Sequence, residues 1–169
     1  MPALDSATLV GMAEIQVIRG TGQLTCLGLG SCVGLCGFDP SGIAGMVHIM
    51  LPEEFNSKGM EKPGKFADTG IPALLQMLEQ AGASRDRLVF AMAGGAQVFK
   101  FGAASESKMD IGGRNVLAAK RAIQNLGLKL VAEDTGGNSG RTVIFDMNSG
   151  VFSVRTVTGG ERALCNLRA

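Results

Sequence analysis

Glycine constrains this chain more than any other residue type, occupying 25 of 169 positions, about twice the ~7% of ordinary usage. Glycine weakens helices and strands through backbone entropy but permits left-handed turns and close approach of one backbone to another. The sequence therefore predicts a turn-rich chain without long helices. Hydrophobic residues at 46% and charged residues at 18% supply a core and exclude a disordered polymer. A length of 169 residues fits one domain, residues 1–169, with its core at about 14–160 and short tails. Sixteen Lys and Arg balance fifteen Asp and Glu, and the eight Phe stand without Trp or Tyr. A chain with neither a basic surplus nor many stacking rings is not expected to bind nucleic acid.

Residues 20–38 carry no charge, but six glycines with Thr21, Gln23, Thr25 and Ser31 interrupt them, so no membrane insertion is expected. The start of the chain lacks the basic region of a secretory signal. Cys26, Cys32 and Cys36 cluster apart from Cys165, which is not the pattern of a disulfide framework. The expectation is a cytoplasmic protein.

Strand patterns occur at residues 14–19, 31–38, 43–51, 88–93, 128–132, 142–145 and 151–157. Asp39-Pro40-Ser41-Gly42 is a turn signal joining the second and third into a hairpin, and Asn148-Ser149-Gly150 marks another. Two amphipathic helices are predicted. Residues 68–81 have Pro72 in the first turn and Gly82 as the stop, and residues 115–126 are capped by Asn115 and stopped by Gly127. The fold class is α+β: a single-domain sandwich of mostly antiparallel β-sheet with two main helices.

The densest chemistry lies at Thr25-Cys26-Leu27-Gly28-Leu29-Gly30-Ser31-Cys32. Its glycine spacing is one residue too long for a dinucleotide fingerprint, and a hairpin rather than a helix follows, so no cofactor is expected. Cys26, Cys32, Cys36 and His48 would make a zinc set. However, Cys32 and Cys36 on one strand stand about 13 Å apart at ~3.3 Å per residue, too far for one tetrahedral ion, and no metal is expected.

A thiol nucleophile with a histidine base is the third candidate. Cys32 follows a glycine turn whose N–H groups, with Gly30 and Ser31, can face an oxyanion. His48 is the only histidine. If paired residue numbers across the hairpin sum to 80, His48 stands opposite Cys32. A sum of 81 puts the two on opposite faces, so the site requires an even register. The alternative is a small buried thiol and a satisfied core histidine.

Residues 27–34 (Leu-Gly-Leu-Gly-Ser-Cys-Val-Gly) and 46–52 (Met-Val-His-Ile-Met-Leu-Pro) strongly resemble the chemoreceptor glutamine deamidase family, CheD. The resemblance continues through residues 65–69, 93–96, 111–116, 133–137 and 140–142, in order, from about residue 14 to 160. It implies an α+β sandwich resembling the cytotoxic necrotizing factor type of cysteine deamidase, with Cys32 as nucleophile and His48 as its partner. It implies a protein-glutamine glutaminase that converts glutamines on the cytoplasmic helical domain of chemoreceptors to glutamate. Some members also pair with a CheC-type phosphatase. Where the family commonly has a threonine as third catalytic member, this chain has Cys26, beside Thr25. A thiol is a weak donor and acceptor, so either Cys26 or a backbone carbonyl orients the imidazole, and Cys26 could instead bridge to Cys32. That departure keeps open an alternative function, a non-catalytic adaptor binding receptor or phosphatase. Thr25, Gly94, Gly95, Asn115 and Arg141 are cleft candidates, the last four with structural alternatives: turns for the glycines, a helix cap for Asn115, a buried ion pair for Arg141. Phe99 and Phe101 are either a docking patch or core.

Overall fold

The computed structural model describes residues 7–53, 62–97 and 110–169. In chain order the elements among them are β1 (Ala7–Leu9), β2 (Ile15–Arg19), β3 (Gln23–Leu29), β4 (Val33–Asp39), β5 (Ile43–Ile49), a 3₁₀ turn (Pro63–Lys65), α1 (Ala67–Gln80), β6 (Val89–Gly94), α2 (Ile111–Asn125), β7 (Leu130–Thr135), β8 (Arg141–Asp146), β9 (Val151–Thr156) and β10 (Gly160–Asn166). Two five-stranded sheets result, in the orders β1-β3-β8-β9-β10 and β2-β5-β4-β6-β7. Among the described strand pairs, β1–β3 and β6–β7 are parallel and the others antiparallel. Phe99 and Phe101 lie outside the described residues.

β4 and β5 are buried at every residue, because their sheet is the middle of three layers. Alternation sends Cys36 and Phe38 of β4, with Ala44 and Met46 of β5, toward Leu24, Cys26, Leu29, Val143 and Phe145 of the first sheet. The other face sends Leu35, Val47 and Ile49 against Ile71, Leu74 and Leu78 of α1 and Ala119 and Ile123 of α2. A strand covered on both faces reads as a continuous apolar run, which is how residues 31–38 and 43–51 read. Even size matters here: a Cβ at Gly45 would stand 2.9 Å from Leu74 Cδ1, so this glycine lets α1 close on the sheet.

The hairpin register differs from the expected one by two residues. Gly34 pairs with His48 and Val33 with Ile49, a sum of 82 rather than 80, with Pro40-Ser41-Gly42 as the connection. Asp39 fixes this turn: its carboxylate accepts from Ser41 N–H at 2.9 Å, Ser84 N–H at 2.8 Å and Arg87 Nε at 3.0 Å. A slip of two keeps every side chain on its face, so Cys32 and His48 still point the same way, into the space between the sheets.

α2 begins four residues before the expected start. Asp110, not Asn115, is its N-cap, accepting from Gly113 N–H at 2.9 Å. Gly112 and Gly113 are poor helix formers and mask this first turn. Gly112 is required because a Cβ there would overlap the carbonyl oxygens of Gly95 and Ala96. Pro72 is the sixth residue of α1 rather than a first-turn residue, so the helix gives up the bond that an N–H at 72 would make. Three strands, β1, β3 and β10, are additions to the expected set. Cys165, expected in a polar tail, lies on β10 and packs against the inter-sheet core. Among the described residues no helix is long and apolar enough to cross a membrane.

Candidate active site

His48 is 4% exposed, and the segment from Val10 to Glu14 holds it on three sides. Its backbone N–H donates to the Glu14 carbonyl at 3.1 Å, and its carbonyl accepts from Ala13 N–H at 2.9 Å. The ring Nδ1 lies 3.0 Å from the Val10 carbonyl oxygen. A carbonyl can only accept, so Nδ1 carries the proton, and the neutral ring keeps its lone pair on Nε2. Val10 is itself held, its N–H donating to the Thr25 carbonyl at 2.8 Å. Thr25 thus acts on the site through its backbone; its side chain alternates away from that of Cys26.

Burial pushes the His48 pKa below its ordinary value, while the Val10 hydrogen bond and the nearby Glu14 charge pull the other way. Burial likewise raises the Cys32 thiol. Both displacements favour a neutral thiol and a neutral imidazole, the combination in which histidine can act as a base.

Gly34 separates the two. It sits directly across from His48, so His48 and Cys32 are diagonal neighbours on one sheet face, and its missing side chain lets Cys26, Leu29 and Val143 pack close over it. A Cβ there would come within 3.3 Å of Cys26 Sγ and Leu29 Cδ1. Cys26 is fully buried, and its thiol donates to Met46 Sδ at 3.4 Å. Burial, and then the neighbouring Cys32, push its pKa up to about 12. The contact on His48 Nδ1 is made by Val10, not by Cys26. All four cysteines are free thiols. Among the described residues no three His, Cys, Asp or Glu side chains are grouped to hold a metal ion.

The loop carrying Cys32 has three successive carbonyls tied down. Gly30 C=O accepts from Ala96 N–H and Cys32 C=O from Gly95 N–H, both at 2.8 Å. Ser31 C=O accepts from Asn115 Nδ2 at 2.8 Å. In a regular antiparallel ladder the Gly95 carbonyl would accept the Cys32 N–H in return. Gly95 is left-handed instead, at φ +69, and its oxygen turns to the first turn of α2. Among the described residues, the Cys32 N–H consequently donates to no backbone acceptor. Gly94, at φ +122, passes so close that a Cβ would overlap the Cys32 carbonyl oxygen. The glycine pair is therefore a close-approach element that shapes the loop carrying Cys32.

Arg141 is 8% exposed and braces this pair from behind. It donates to the carbonyls of Gly94 at 3.2 Å and Gly136 at 2.8 Å, and pairs with Asp134 at 3.3 Å. Asn115 is fully buried and spans the Ser31 and Met50 carbonyls at 2.8 and 3.0 Å. Val10 is invisible to sequence reasoning, because a backbone carbonyl has no side-chain signature.

A profile of the family described as CheD chemotactic sensory transduction matches residues 50–156. Among curated relatives, the probable chemoreceptor glutamine deamidase CheD of Moorella thermoacetica is 47% identical over 149 residues, 88% of this chain and 89% of its own length. The chemoreceptor glutamine deamidase CheD of Bacillus licheniformis is 44% identical over 153 residues, 89% of this chain and 90% of its own. That of Thermotoga maritima is 43% identical over 156 residues, 91% of this chain and 94% of its own. The family profile begins beyond Cys32 and His48. The Moorella alignment leaves 169 less 149, or 20, residues of this chain uncovered and so extends across both.

Proposed function

The chain belongs to the CheD family, and from that premise we propose that it deamidates glutamine side chains of chemoreceptors, with Cys32 as nucleophile and His48 as base. The observation that carries the reading is the fixed tautomer of His48. Its Nδ1–H is spent on Val10, so Nε2 is the basic nitrogen, on the sheet face that Cys32 shares.

The steps follow from these groups. Nε2 takes the Cys32 proton as sulfur attacks the carboxamide carbon, forming a C–S bond and an oxyanion. The Cys32 N–H, left without a backbone acceptor among the described residues, is the donor for that oxyanion. The intermediate collapses, the C–N bond breaks, and the imidazolium returns its proton to the departing ammonia. Water, deprotonated by His48, attacks the thioester. Glutamate leaves, and the thiol recovers its proton. The sum is carboxamide plus water giving carboxylic acid plus ammonia, and it needs no electron acceptor. The substrate domains of such receptors are cytoplasmic, which makes the cytoplasm this protein's place of work.

Ammonia release from a purified chemoreceptor cytoplasmic fragment tests the reading. The wild type should release ammonia in proportion to enzyme, and Cys32→Ala and His48→Ala should not. Undiminished release from Cys32→Ala would overturn it. Receptor binding without any release from the wild type would make the protein an adaptor.

A further inference from the structure

We infer that Asn115 is a positioning residue for the reaction, setting the plane of the Ser31–Cys32 peptide so that the Cys32 N–H faces the oxyanion. This rests on the reading of Cys32 as nucleophile. The physical basis is the peptide unit itself. Its C=O and N–H lie in one plane and point in opposite directions across a trans bond. Whatever holds the Ser31 oxygen therefore aims the Cys32 hydrogen. Asn115 Nδ2 holds that oxygen at 2.8 Å.

The neighbouring carbonyls do not make this bond redundant. Gly30 and Cys32 carbonyls are fixed by the backbone N–H groups of Ala96 and Gly95, which pins the loop at either side. The middle peptide can still pivot between two pinned neighbours, and the Asn115 side chain stops it. The second proton on Nδ2 goes to the Met50 carbonyl at 3.0 Å, on the segment that follows His48. One carboxamide therefore joins the strand end beyond the base to the loop that carries the nucleophile.

The rest of the side chain shows what its placement favours. Asn115 Oδ1 is buried and, among the described residues, has no hydrogen-bond partner. An unpaired buried acceptor is destabilising, and such exceptions in folded proteins call for an explanation. Turning the amide over would not relieve it, since Oδ1 would then face two carbonyl oxygens that can only accept. The position of Asn115 thus meets the needs of the Ser31 and Met50 carbonyls at the expense of its own oxygen. α2 can present it there because Gly112, one turn earlier, lets the helix sit against the Gly95 and Ala96 carbonyls.

The test separates alignment of the oxyanion donor from support of the loop. Deamidation passes through an oxyanion, whereas alkylation of Cys32 by iodoacetamide does not. For Asn115→Ala, kcat on a receptor fragment should fall about 10- to 100-fold, the scale of a lost or misaimed oxyanion donor. KM, and the rate and pH dependence of Cys32 alkylation, should stay within about threefold of wild type. Asn115→Ser, which keeps a donor on a shorter arm, should fall between the two, and it carries the same criteria if the alanine variant does not fold. A kcat within threefold of wild type would overturn the inference. Alkylation slowed in step with kcat would also overturn it, assigning Asn115 to loop support alone. Absence of turnover in the wild type would instead overturn the deamidase reading on which the inference rests.

Discussion

Gly94 offers the sharpest perturbation of the Cys32 backbone that leaves the Cys32 and His48 side chains unaltered. Its φ of +122 is a conformation that L-residues rarely adopt, which costs an alanine about 1–3 kcal/mol. The larger effect is positional. The new methyl would overlap the Cys32 carbonyl oxygen and press on the Val33 Cα. Both are backbone atoms with no rotamer to yield, so the Cys32 peptide must retreat by roughly an ångström. A misplacement of that size costs about 10²-fold in rate, or about 2.7 kcal/mol of barrier. Gly20 supplies the control: it is also left-handed, at φ +80, but a methyl added there would meet nothing within 4 Å. Gly20→Ala should lose about 1 kcal/mol of stability through backbone strain and retain its kcat. Steady-state deamidation with denaturant melts of both variants measures the two effects separately. A Gly94→Ala enzyme retaining a third of wild-type kcat would refute the close-approach argument. Equal losses in both variants would refute it as well.

The pH dependence follows from the two displaced titrations. With His48 below its usual 6.5 and Cys32 above 9.0, both through burial, kcat/KM should rise on a limb below pH 6.5 and stay level to above pH 9; a maximum below pH 6 would indicate a resting thiolate–imidazolium pair instead. Asp39 should govern acid stability. Burial acts to raise its pKa, but hydrogen bonds from Arg87, Ser41 and Ser84 outweigh that and hold it at about 2, against 3.8 ordinarily. The depressed value contributes about 2 kcal/mol, fully present above about pH 4 and lost as pH falls toward 2. In urea melts, Asp39→Asn should be weaker by about that amount at pH 7 and show less of the acid decline. Because Val10 orients His48, Cys26→Ala should keep kcat within about threefold and cost about 1 kcal/mol of packing; a hundredfold loss in the deamidation assay would restore Cys26 to the catalytic set.

The side chains proposed for the site can be picked out of the sequence alone. A cysteine behind a glycine turn and a lone histidine on the next strand form a pattern, and parity along a strand decides whether they can meet. The expected register is off by two because Asp39 binds N–H groups as far away as Ser84, which turn rules based on four residues do not include. The orienting group for His48 is legible only as a class, a backbone carbonyl, since β1 is three residues long and carries no strand pattern. Asn115 is a favoured cap residue in front of an apolar stripe, and only the tertiary approach of α2 to the Gly95 carbonyl reveals that the helix has already begun. β10 reads as a tail because its burial is slight along most of its length, leaving little alternation to detect.

Peptide mass spectrometry of a chemoreceptor cytoplasmic fragment incubated with the wild type and with Cys32→Ala decides whether Cys32 deamidates receptor glutamines. Each converted glutamine gains about one mass unit as –NH2 becomes –OH in acyl transfer to water. The wild type should show that gain at defined glutamines, and Cys32→Ala should show none. The same gain with both proteins, or with neither, would contradict the proposed function.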